Sequence, residues 1–139
     1  MSSFKATLGG YAGYRGREGH WAFLLHRITG LGVVLFLAIH ILDTSLVYFA
    51  PQLYGEAINI YRSTLFGILE IVLVFCLIFH GVNGLRIAYL DMIAPKDWSI
   101  EKTRRSTYYA LAVALVIWVP STIVMLYNLL KFNFGLFGG

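Results

Sequence analysis

The run from Trp21 to Tyr48 restricts this chain more than any other feature, because it is almost unbroken in its apolarity. As a helix rising about 1.5 Å per residue it spans roughly 42 Å, enough to cross a bilayer with both ends among the headgroups. Two further apolar runs follow, from about Ser63 to Leu90 and from about Thr107 to Leu130. The 139 residues are 58% hydrophobic and 13% charged, roughly half the charged share of a soluble protein. With a mean hydropathy of +0.71, the expected fold is an all-α membrane protein of three transmembrane helices, part of a multi-helix anchor bundle.

The polar residues fall between the runs. Met1 to His20 holds Gly9, Gly10, Gly13, Gly16 and Gly19 with no helical period, so 1–20 reads as a cytoplasmic or interfacial tail. No cleavable signal peptide is expected, since the chain opens polar and its first apolar run is too long for one. The three-helix anchor domain takes 21–131, and 132–139 is a short outer tail. Pro51 and the polar stretch Gln52 to Arg62 read as a short connection, with Tyr48, Tyr54 and Tyr61 as interfacial anchors. Pro95 stops the second helix, a charged loop holds Lys96, Asp97, Glu101, Lys102, Arg104 and Arg105, and Pro120 should kink the third helix.

Lys5, Arg15 and Arg17 precede the first span, and Lys96, Lys102, Arg104 and Arg105 separate the second from the third. Only Arg62 and Lys131 lie on the other side, so the positive-inside rule puts the N-terminus in the cytoplasm. The same asymmetry accounts for the net charge of +4 without invoking nucleic acid. The lone Cys76 sits in an apolar run and reads as inert packing. Phosphate loops, zinc spacings, glycosidase acid pairs and nucleophile triads are absent from the sequence.

What remains is a set of ionisable residues inside the spans, where each is costly and marks a functional site by default. The second span ends His80-Gly81-Val82-Asn83-Gly84-Leu85-Arg86, through to Asp91. His80 offers a neutral imidazole to a metal, and Gly81 and Gly84 clear space beside it for a flat macrocycle. The same residues would also serve as a small-residue packing seam. In the first span His26 and His40 are 14 residues apart, which returns them to within roughly 40° of one face but separates them by about 21 Å along the axis. Arg27 adjoins His26, and the pair alone would suit a snorkelling interfacial position. Asp43 lies three residues beyond His40, placed to orient its imidazole or carry a proton, unless both simply bind neighbouring helices. Glu70 falls near the depth of His40 and Asp43, as a relay or a protonated hydrogen-bonding group. His80 and His40 each lie roughly 14 Å from opposite interfaces. They are therefore poor partners for one iron, and each needs a histidine from elsewhere.

With His26-Arg27-Ile28-Thr29-Gly30 opening the first helix and the His80 to Asp91 motif closing the second, the chain resembles the cytochrome b membrane-anchor subunit of succinate dehydrogenase. The likeness covers Trp21 to Asp91 and extends more loosely through the third helix. It implies a second membrane-anchor subunit, and a flavoprotein and an iron-sulfur subunit docked on the cytoplasmic side of a bacterial-type inner membrane. Electrons from succinate then pass through flavin and iron-sulfur clusters to quinone. The family's haem b ligand falls on His80, and its arginine near quinone and propionate falls on Arg27 beside His26, with Arg86 in the second motif. Two positions depart from the family: Phe23 stands where a quinone-binding serine is found, and Ile87 where a histidine often follows the arginine. His40, together with the difference in depth, resembles the two-haem branch, with His80 on the proximal and His40 on the distal haem and menaquinone as the quinone. A fumarate reductase anchor oxidising menaquinol is the nearest alternative, and a haem-free membrane scaffold is the alternative from another class. The chain itself should not oxidise succinate, as it has no flavin motif and too few cysteines for a cluster.

Overall fold

The computed structural model describes residues 18–97 and 99–135. Helix α1 runs Glu18–Phe49, α2 Pro51–Tyr61, α3 Thr64–Met92 and α4 Ile100–Phe134, with a 3-10 turn at Pro95–Asp97. Helices α1, α3 and α4 are each long and apolar enough to cross a membrane, as the three apolar runs require. The expected tail lies outside the described residues except at its end, where α1 already begins at Glu18.

Two stretches read as irregular are helical. The connection after Pro51 is α2, whose half-buried positions Tyr54, Ala57, Ile58 and Tyr61 recur at i, i+3, i+4 and i+7. Pro51 suits the first turn, where its missing N–H would have no partner anyway. The Tyr61 ring then meets Phe66 of α3 edge-on at 5.0 Å. The charged loop contributes most of its residues to the first turns of α4, which starts at Ile100 instead of Thr107. Ser99 caps that start by accepting from the Lys102 backbone N–H at 3.3 Å, and Glu101 places a negative charge in the first turn. The helix continues through Pro120 and ends at Gly135, whose φ of 62° is the left-handed conformation that glycine adopts without cost.

Helix α3 is the centre of the bundle and packs against both α4 and α1. Among the described residues, the buried ones are Ala22 and Thr29 on α1, Phe79, Asn83 and Leu90 on α3, and Thr107, Ala110 and Ala114 on α4. The last three form a small-residue stripe that lets α4 approach α3 closely. Deeper along the same seam Trp118 donates its indole N–H to the Ile71 carbonyl at 3.1 Å and packs edge-on against Phe75. Large apolar side chains such as Leu31, Leu35, Leu77 and Val116 point outward, as expected of helices whose solvent is lipid.

Candidate functional site

The crossing of α1 and α3 brings His26 and His80 together. Their rings are stacked within 2° of parallel, with centroids 4.1 Å apart. His80 Nδ1 lies 3.1 Å from the backbone carbonyl of His26. A carbonyl oxygen only accepts, so Nδ1 carries a proton, and in the neutral imidazole Nε2 keeps its lone pair. The ring reaches this position because residue 30 is glycine: a Cβ there would sit 2.7 Å from His80 Cε1 and 3.0 Å from Nδ1. Gly84 lies beside His26 without the same constraint, since an added Cβ there would make an ordinary 3.6 Å contact with His26 Cε1. Thr29, almost fully buried, spends its hydroxyl on the Leu25 and His26 carbonyls of its own helix.

The other polar residues of this end are arranged around that pair. Arg27 is exposed, with its guanidinium 5.2 Å from the centroid of the Phe23 ring. Phe23 thus supplies an aromatic face for the neighbouring cation. Arg86 is half-buried and turned toward α4, donating from Nη1 to Thr107 Oγ1 at 2.6 Å, Ser106 Oγ at 3.1 Å and the Thr103 carbonyl at 3.2 Å. Asn83, on α3, is only 1% exposed. The polar residue most deeply enclosed at this end is thus an amide that residue type alone does not single out.

At the opposite end the grouping expected from spacing is only partly realised. His40 is exposed and stacks on Phe36 at 5.4 Å. Asp43 accepts a hydrogen bond from the Tyr61 hydroxyl of α2. This bond and the charge of the Asp43 carboxylate hold the Tyr61 phenol above its ordinary value of 10.0. Glu70 lines a separate groove with Tyr61, Arg62, Met125, Leu129 and Asn133. Asn133 closes the end of that groove by donating to Thr64 Oγ1 at 3.1 Å. Among the described residues no three histidine, cysteine or acidic side chains are grouped to hold a metal ion by themselves.

Fold and site together define a multi-pass helical membrane protein that carries paired histidines and a half-buried arginine near one end of the bundle. Comparison with known proteins gives that class its family. Residues 11–120 match the family described as succinate dehydrogenase/fumarate reductase transmembrane subunit, and the chain belongs to it. It is similar to the succinate dehydrogenase 2 membrane subunit SdhC of Mycobacterium tuberculosis, 32% identical over 114 residues that cover 81% of this chain and 80% of the relative. It is also similar to the succinate dehydrogenase hydrophobic membrane anchor subunit of Halobacterium salinarum, 32% identical over 113 residues that cover 74% and 77%.

Proposed function

We propose that this chain is the haem b- and quinone-binding anchor of a succinate dehydrogenase complex, through which electrons from succinate reach quinone. The observation that carries the reading is the bond from His80 Nδ1 to the His26 carbonyl. Iron-ligating histidines characteristically donate their second nitrogen in this way, which fixes the ring and raises the basicity of the free one. His80 would therefore hold the haem iron through its Nε2. The parallel ring of His26 does not face it across a metal, so any further ligand would come from a histidine of the partner anchor subunit. When bound, the haem supplies a one-electron store beside the quinone. This chain's residues fix the ligand's tautomer and orientation, exclude water and supply fixed positive charge. Arg27 and Arg86, with His26, take the haem propionates or the quinone oxygens, as guanidinium groups suit carboxylates and reduced quinone.

His40 is the ligand of a distal second haem, shared in the same way with the partner, and the quinone is menaquinone. Asp43 and Glu70 then act at that level as hydrogen-bonding support or proton relay, Asp43 through its bond with Tyr61. The anchor domain 21–131 sits in a bacterial-type cytoplasmic membrane, with its N-terminus and the loop between α3 and α4 on the cytoplasmic side. That side carries Lys96, Lys102, Arg104 and Arg105, and there the flavoprotein and iron-sulfur subunits dock.

The test is a reduced-minus-oxidised spectrum and a haem-to-flavin ratio on the purified complex. A haem b band is expected, and a colourless anchor with all subunits present would return the polar residues to a scaffold role. Because the family name spans both directions, rates with succinate plus quinone should be set against rates with menaquinol plus fumarate. Faster fumarate reduction would make this the anchor of a fumarate reductase.

A further inference from the structure

The short helix α2 is divided along its length into three sectors. Tyr54, Ala57, Ile58 and Tyr61 are half-buried where α2 packs on α1 and α3. Gln52, Glu56 and Asn59 are exposed, and at about 100° per residue they centre roughly 180° from the packed stripe. Leu53 and Ile60, seven residues apart and so nearly in line, fall between these two sectors. Both are more than half exposed. The tyrosines expected at the interface divide accordingly: Tyr48 is 85% exposed, whereas Tyr54 and Tyr61 belong to the packed stripe. Among the described residues nothing covers the aliphatic flank of α2.

The chain gives α2 no freedom to carry that flank into water. Only Ala50 separates it from α1, and only Arg62 and Ser63 from α3. Hydrogen bonding continues across the first junction, from the Ala50 N–H to the Leu46 carbonyl at 2.9 Å and from the Tyr54 N–H to the Ala50 carbonyl at 3.2 Å. At the far end the Tyr61 hydroxyl donates to Asp43, which precedes the end of α1 at Phe49 by a turn and a half, about 9 Å back along its axis. The Tyr61 end of α2 is therefore drawn back toward the bilayer. The exposed apolar surface of the spans also leads into it, through Phe49 before Leu53 and Leu65 after Ile60. Two aliphatic side chains fall far short of the roughly 800 Å² per side of a stable protein interface. Lipid requires no such matched surface, because removing apolar area from water is favourable in proportion to the area.

We propose that α2 is a lipid-binding helix of the membrane surface opposite the basic α3–α4 loop. Leu53 and Ile60 enter the boundary between headgroups and acyl chains, while Gln52, Glu56 and Asn59 face water. Amphipathic helices of this kind bury their apolar side about 5–10 Å into that boundary. The lipid contact and the bond from Tyr61 to Asp43 support each other, since a helix held down at its flank keeps the phenol on an acid that would otherwise meet hydrocarbon. Neither haem nor quinone enters the proposal.

The experiment uses the complete complex in phosphatidylcholine nanodiscs, which leave both membrane faces open to solutes. A polarity-sensitive fluorescent amino acid replaces Leu53, Glu56, Asn59 or Ile60 in turn by codon suppression. Lipids carrying a nitroxide high on the acyl chain should quench the probe at Leu53 and Ile60 roughly twofold or more as strongly as at Glu56 and Asn59, the contrast that a depth of about 5–10 Å gives. Aqueous iodide should reverse that order. Iodide reaching all four positions alike overturns the proposal by standing α2 in water. Probes at Leu53 and Ile60 closed to both quenchers overturn it in favour of a protein partner. The unaltered complex supplies a second measurement that decides if the substituted chains do not assemble. A phosphatidylcholine with a photoreactive diazirine near the top of its acyl chain should label the peptide holding Leu53 and Ile60, and labelling confined to α1, α3 and α4 overturns the proposal.

Discussion

The imidazoles of His26 and His80 lie face to face, 4.1 Å apart and within 2° of parallel, and the Nδ1 of the second donates to the backbone carbonyl of the first. Stacked rings aim their nitrogens along the stack's edges and not at each other. The pair cannot grip one metal between them, so any iron here receives a single ligand from this chain. His26 contributes a ring face and a carbonyl that hold the His80 ring still.

That division of labour separates two substitutions. His80→Leu should remove one haem from the assembled complex, whereas His26→Phe, which keeps both the stacking face and the carbonyl, should retain it and raise the KM for quinone. Haem-to-flavin ratios and quinone kinetics on the two variants check this. His40→Leu should remove a second haem, and an unchanged ratio there would leave His40 as a packing residue.

Gly30→Ala should be far more damaging than Gly81→Ala or Gly84→Ala. A methyl at 30 meets the His80 ring at 2.7 Å, one at 84 makes an ordinary 3.6 Å contact, and one at 81 meets nothing within 4 Å. The His80 ring is fixed by its hydrogen bond and by stacking and cannot yield, so the overpacking should cost about 1–3 kcal/mol. Thermal unfolding of the complex in detergent, read alongside haem content, measures it.

Arg86→Leu should destabilise the contact between α3 and α4 by about 1.5–3 kcal/mol, the range for hydrogen bonds to a charged group. Arg86→Lys should restore only part of this, because an ammonium lacks the fork that meets Thr107, Ser106 and the Thr103 carbonyl together. The difference between the two unfolding midpoints is the quantity to compare.

The bond from Tyr61 to Asp43 gives a pH signature. A phenol whose folded pKa lies above its ordinary 10.0 contributes stability that is complete below that ordinary value and is lost as pH rises through the higher folded value. Titration by tyrosinate absorbance should show one late-ionising tyrosine, and Tyr61→Phe should abolish that late step while haem content stays the same.

The three spans were legible because lipid demands unbroken apolarity, which hydropathy alone reveals. The helix over Pro51–Tyr61 was hidden by its polar composition, although the spacing of Tyr54, Ala57, Ile58 and Tyr61 carries a helical period. The start of α4 was obscured in the same way by its charges, while Ser99 with Glu101 held the capping signal. In the site, the resemblance singled out His26, Arg27, His80 and Arg86, but periodicity set His26 on a face with His40 and said nothing of its stacking on His80. Asp43 was placed beside His40 by spacing within one helix, yet its hydrogen bond is to Tyr61 of the next. Periodicity fixes positions around a single axis. Which faces meet between axes depends on details such as Gly30 that no single-helix rule weighs.

Among the described residues the enclosed ones are three alanines, two threonines and one asparagine with only Phe79 and Leu90 as large apolar side chains, while Leu31, Leu35, Leu77 and Val116 lie on the outside. A chain so arranged has its oil on the exterior and therefore no route to a stable shape in water. It has to be handed to the bilayer as it is synthesised, each helix settling there before the polar seam closes.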